Sequence, residues 1–117
     1  MKLIELTKKY TFHDSIVKSL EWDTVNKRFL MAIDFCNWAQ DYYTNDMEEN
    51  IVITLVFCNV EKVRGSTIKI DYNGISTCDS KDDSIIFWLL RDYPDGDGGI
   101  DEVQIRADAV TTKPLLA

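Results

Sequence analysis

An antiparallel all-β fold, a single-domain sandwich or rolled sheet of about six strands spanning residues 1–117, is the architecture this sequence predicts. Three observations predict it. Apolar residues recur with a period of two along most of the chain, short connections rich in Gly, Asn, Asp and Pro separate strand-length runs, and no stretch carries a long helical pattern. With 117 residues, 45% hydrophobic and 28% charged, the chain has the size and composition expected of one core.

In chain order, "SIVKSLEWD" (15–23) places Ile16, Leu20 and Trp22 on one face and Ser19, Glu21 and Asp23 on the other, the pattern of a half-buried strand. "TVNK" is a tight connection into "RFLMAIDFC" (28–36), where Phe29, Met31, Ile33 and Phe35 alternate, so the pair reads as a hairpin. "NIVITLVFC" (50–58) is apolar on both faces and β-branched, which suits a central strand covered on two sides. In "STIKIDY" (66–72), Ile68, Ile70 and Tyr72 are expected inward, with Gly65 and the "NG" at 73–74 as turn punctuation. "SIIFWLLRDY" (84–93) fits a buried strand or a buried helix by period, and its Ile and aromatic content favours the strand. After the turn "PDGDGG", the run "DEVQIRADAV" puts Val103, Ile105, Ala107 and Ala109 on one face and completes a second hairpin. The segment "NWAQDYYTNDMEE" (37–49) is too long for a hairpin turn; such loops carry function or form a short helix of their own.

Composition excludes several classes of function. The first residues, "MKLIELTKKYTF", do not fit a signal-peptide core, and no run reaches the roughly 20 apolar residues that span a bilayer, so a cytoplasmic location is expected. Cys36, Cys58 and Cys78 are odd in number and widely spaced without a CxxC pair, and one histidine is present; no metal site and no cofactor are expected. The net charge of −7 is uneven: Asp34, Asp41, Asp46, Glu48 and Glu49 fall in 34–49 without a Lys or Arg, and 79–102 carries eight acids against Lys81 and Arg91. Such fields repel nucleic acid and anionic membrane and steer basic partners.

Three constellations stand out. His13, Asp14 and Ser15 contain the residue types of a hydrolase relay. Adjacent residues in an extended chain point to opposite faces, however, so they cannot converge as a relay must, and no GxSxG elbow is present. They are expected to open the first strand, with Asp14 and Ser15 bonding nearby amides and the His13 ring anchoring the strand start. "DGDGGIDE" (95–102) resembles the middle of a calcium loop, but Tyr93 and Gln104 stand where an acid and the bidentate glutamate belong. A hairpin connection is the better account, with weak cation binding by Asp95, Asp97 and Asp101 as the alternative. The third is the loop itself: Trp38, Tyr42 and Tyr43 interleave with Asp41, Asp46, Glu48 and Glu49. Aromatic anchors within rim carboxylates are what a surface for a basic protein partner requires, though one or two of these rings could instead close the end of the sandwich.

"YTFHDSIVKSLEWD", followed by a second alternating strand and by "VFCNV", resembles small bacterial β-proteins with an F-H-D-S-x-I start, Val17 standing here at the last position; some similar proteins are immunity proteins of polymorphic toxin systems. The resemblance covers about the first half of the chain, with a weaker echo in "DEVQIRADAV". It implies a β-rich fold and a toxin-neutralising role and carries over no functional residue. The expectation is a non-enzymatic interaction domain, monomer or homodimer, with a small-ligand or divalent-cation module at 95–102 as the competing reading.

Overall fold

The computed structural model describes residues 1–65, 72–81, 83–91, 99–114 and 116. Residues 66–71 of the strand expected at 66–72, residues 94–98 of the turn expected at 94–99, and the calcium-like residues Asp95 and Asp97 lie outside the described residues. Two four-stranded sheets, every pair antiparallel, face each other across one core. The first has the order β1 (Ile16–Asp23), β2 (Arg28–Cys36), β3 (Asn50–Cys58), β8 (Ala109–Lys113). The second has the order β4 (Lys62–Arg64), β7 (Ile100–Arg106), β6 (Ser84–Arg91), β5 (Tyr72–Lys81). The all-β class therefore holds, with eight strands rather than six among the described residues.

Alternation builds the core. Phe29, Met31, Ile33 and Phe35 of β2, Ile53, Leu55 and Phe57 of β3, Ile85, Phe87 and Leu89 of β6, and Val103 and Ile105 of β7 are all buried. Each such side chain contributes about 1.5–3 kcal/mol on full burial. Rings link the layers, with Phe12 to Phe35 at 5.5 Å, Phe12 to Phe87 at 6.3 Å and Phe57 to Phe87 at 6.3 Å between centroids. Those separations suit edge-to-face and tilted pairs. The β1–β2 turn is held by Asp23, whose carboxylate accepts from the Asn26 amide at 3.1 Å and from its side chain at 2.8 Å. Lys27 completes that turn with φ 54.

Several expectations are corrected. Ile16 faces outward and Val17 inward, because the β1–β2 register shifts between Val17 and Ser19. One extra residue in a strand reverses the face of everything on one side of it; Leu20 and Trp22 keep the predicted side. The "NG" at 73–74 is not a turn but lies within β5, at another register shift, between Tyr72 and Gly74. The run 101–110 is not one strand. It leaves the second sheet at Ala107–Asp108 and enters the first as β8, so that Val110 is fully buried and Ala109 only half-buried. The central strand β3 is covered on its inner face and at Val56, whereas Val52 is 62% exposed.

A short helix that the periodicity did not signal, α1 (Leu3–Lys9), closes one end with Leu3 and Leu6 buried. Lys8 and Lys9 sit in its last turn, where cations suit the helix dipole. Before it, the Met1 amino group donates to the Val110 carbonyl at 3.0 Å and the Val110 amide returns the bond to Met1 at 2.9 Å.

Residues 13–15 join the sheets. Asp14, in the left-handed region at φ 68, donates its amide to the Ile75 carbonyl at 3.0 Å, and the Ile75 amide donates to the Ser15 carbonyl at 2.8 Å. The Ser15 hydroxyl oxygen, fully buried, accepts the Cys36 amide at 3.1 Å. The His13 ring bonds through Nδ1 to the Ser76 carbonyl at 2.5 Å. Ser15 thus ties β1 to the end of β2, while the backbone of 14–15 ties it to β5 in the other sheet.

Candidate functional site

The 37–49 segment leaves β2 through one turn of 3₁₀ helix (Asn37–Ala39) and is shaped by two buried amides. Asn37 donates its side-chain amide to the Glu48 carbonyl at 2.9 Å and accepts the Tyr42 hydroxyl at 2.5 Å. Gln40 accepts the Thr11 amide at 2.9 Å and donates to the carbonyls of Thr11 at 2.8 Å and Cys36 at 2.9 Å. The Trp38 amide meets the Glu49 carbonyl at 3.0 Å, extending the β2–β3 pairing by one bond. Backbone groups that would otherwise need water are satisfied, so a 13-residue connection is held in one shape.

Gln40→Ala removes three of those bonds without touching the outer surface. It is expected to cost about 1–3 kcal/mol and to open 41–49 to protease. A urea titration read beside limited proteolysis checks both; an unchanged cleavage rate would show that Gln40 does not hold the segment.

This scaffold sorts the segment's side chains. Tyr42 is half-buried, its ring edge-to-face with Tyr10 at 6.4 Å, and its phenol pKa is raised by burial and by neighbouring Tyr10. It closes the core at this end. Tyr43 is half-buried, with its hydroxyl 3.4 Å from the Met47 carbonyl. Trp38, by contrast, is 51% exposed, and Asp41, Asp46, Met47, Glu48 and Glu49 face solvent. The Thr44 hydroxyl bonds to the Asp46 carboxylate and holds its pKa below the ordinary value, aided by a bond from its own backbone amide.

The strand register adds residues that sequence reasoning did not include. Ile16, Asp34 and Val52 lie side by side across β1, β2 and β3 on the outer face of the first sheet, at the end from which the segment departs. Ile16 and Val52 are exposed. Of the seven exposed large apolar side chains among the described residues, four (Ile16, Trp38, Met47 and Val52) belong to this end of that sheet. Carboxylates at 34, 41, 46, 48 and 49 accompany them, and the residues from 34 to 52 include no Lys or Arg. The bulge that turns Ile16 outward and the pairing that sets Val52 beside Asp34 could not be read from alternation alone.

His13, Asp14 and Ser15 do not form a relay. His13 Nε2 lies 3.4 Å from the Asp14 carboxylate on the surface, whereas the Ser15 oxygen is turned into the interior toward Cys36. The three cysteines are free, and burial, with help from Asp79, pushes the Cys78 thiol up to about 12, far from an activated nucleophile. Among the described residues no three His, Cys, Asp or Glu side chains are grouped to hold a metal, and no helix is long and apolar enough to cross a membrane. No protein-family model, curated protein or solved structure matches the chain.

Proposed function

We propose that this chain is a protein-interaction domain that binds a basic protein partner, acting in the cytoplasm as the neutralising partner of a cationic toxin. The observation that carries this reading is the exposed Trp38, grouped with Ile16, Met47 and Val52 at one end of a sheet and accompanied by five carboxylates with no cation in the same stretch of chain. An apolar anchor inside a charged rim supplies affinity at its centre and fast encounter at its edge. Carboxylates presented this way also mimic the phosphates that a nuclease toxin would grip. The resemblance of "FHDS" and its following strands to immunity proteins points in the same direction.

The test begins with capture on the immobilised chain from the source cell's lysate and identification of what is held. The captured protein is then purified and titrated against the wild type and against Trp38→Ala/Asp46→Lys/Glu48→Lys, whose three positions are all exposed. The expected result is a basic protein that arrests growth when expressed alone and is silenced by co-expression of the chain. Its affinity should fall about 30-fold or more in the variant, the effect of losing one hot-spot residue. Equal binding by wild type and variant, or a partner without toxicity, would overturn the reading.

A further inference from the structure

We propose that the outer face of the second sheet carries an oxyanion site, built by Lys62, Arg64, Gln104 and Arg106 for a phosphate monoester. These four side chains line a shallow depression of about 210 Å³ where β4 packs on β7. Their convergence follows from register. Lys62 lies opposite Arg106 and Arg64 opposite Gln104, so residues two apart on each strand project from the same face as a two-by-two block.

Like charges placed directly across an antiparallel pair repel, and this block concentrates three cations in a chain of net charge −7. Among the described residues, Arg106 alone of the three is ion-paired. Arg106 lays its Nε and Nη2 on the Asp83 carboxylate at 3.1 and 2.9 Å, and Nε lies 3.3 Å from Glu61. Its Nη1 carries no hydrogen bond among the described residues, and Asp83 fixes the guanidinium plane. Lys62 and Arg64 have no acidic partner among the described residues. Glu61 and Asp83 both lie on Arg106, and the exposed Glu102, two residues before Gln104 on the same face of β7, borders the block on the side away from Lys62.

The donor set matches a phosphoryl group. Lys62 offers a mobile point charge, Arg64 a planar fork, and Gln104 an amide that can donate to a third oxygen. Such charge-assisted bonds are the strong ones. The shape favours a compact anion over a long acidic peptide, because the depression is confined to four side chains of two strands. Next to Gln104 on β6 lies Ile86, and Trp88 stands two residues further on the same face. A base or ring carried by the phosphate would meet Ile86 and Trp88 on that side, next to Glu102, the residue paired with Trp88.

Titration of the ¹⁵N-labelled chain by two-dimensional NMR, at constant ionic strength, tests this with two probes: inorganic phosphate and adenosine 5′-monophosphate. Saturable shifts in the amides of 62–64 and 104–106 at millimolar probe are expected, with a loss of about tenfold or more in affinity for Lys62→Ala/Arg64→Ala. Lys8→Ala/Lys9→Ala, at the end of α1, is expected to bind as the wild type does. Equal affinity for the two probes would identify the phosphoryl group as the whole ligand. Tighter binding of the nucleotide, with movement of the Trp88 indole signal, would place its base over β6; both results support the site. Shifts that chloride reproduces, shifts that persist in the Lys62/Arg64 variant, or no saturable shift in the wild type would overturn it, and the last needs no variant to fold.

Discussion

Phe87→Ala is expected to lower the unfolding free energy by about 3–5 kcal/mol, the range for a large aromatic removed from a closed core. Phe87 is fully buried on β6 and stands between two rings that reach it from the opposite side of the core: Phe12, ahead of β1, and Phe57 on β3, both at 6.3 Å. Truncation therefore removes contacts between the two sides of the core, and two rings anchored on separate segments, Phe12 ahead of β1 and Phe57 on β3, cannot both relax into the space. Because domains of this kind are stable by about 5–15 kcal/mol, the variant should be close to unfolded at elevated temperature. Urea titration checks it: the midpoint should fall sharply while the slope stays near that of the wild type. A loss below about 1 kcal/mol would mean that Phe87 does not bridge the two layers.

Gly65→Ala is expected to cost about 2–6 kcal/mol, although it adds only one methyl group at the surface. Gly65 has φ +111, a conformation that residues with a side chain rarely adopt. A Cβ there would lie 2.1 Å from the Glu102 carbonyl oxygen and 3.2 Å from the Val103 Cα, both backbone atoms of β7 that cannot rotate away. Strain at such a backbone angle is worth about 1–3 kcal/mol, and forcing packed backbone apart adds about 1–3 kcal/mol. The damage should concentrate where β4 pairs with β7, so amide shifts at 62–64 and 102–106 should move more than those of β1 and β2. Thermal and urea melts identical to the wild type would show that this glycine's conformation is not required.

The elements with one clear period were legible in the sequence. The β1–β2 hairpin, β3 and β6 follow from alternating or continuous apolar runs, and "SIIFWLLR" forms the strand that its Ile and aromatic content favoured. What was missed was either too short to show a period or dependent on a distant partner. The seven residues of α1 give a single buried pair, Leu3 and Leu6, and β4 has only three residues. The apolar alternation of the sequence runs through Ala109, whereas the buried positions shift by one where the chain changes sheets, from Ala107 to Val110, so alternation does not reveal the crossing.

The candidate surface was half legible for the same reason. Its aromatics and carboxylates are contiguous in sequence, but the amides that shape it reach far: Gln40 bonds to Thr11, 29 positions away. Ile16 and Val52 join it only through a bulge and a register that no single strand reveals. Tyr42, counted by composition among the binding aromatics, is tied down by Asn37 and Tyr10.

The paired bonds between residues 14–15 and Ile75 also bear on how the molecule comes apart. β1 and β5 are edge strands of different sheets, and through these bonds neither can peel away without disturbing the other. The Cys36 amide, covered by Ser15, belongs to the same knot. Amide protons at Ile75 and Cys36, 39 residues apart in sequence, should therefore exchange with solvent through one shared opening reaction instead of two local ones. Fraying of either sheet alone is suppressed, and the outward surfaces can accumulate substitutions while the molecule still unfolds as a unit.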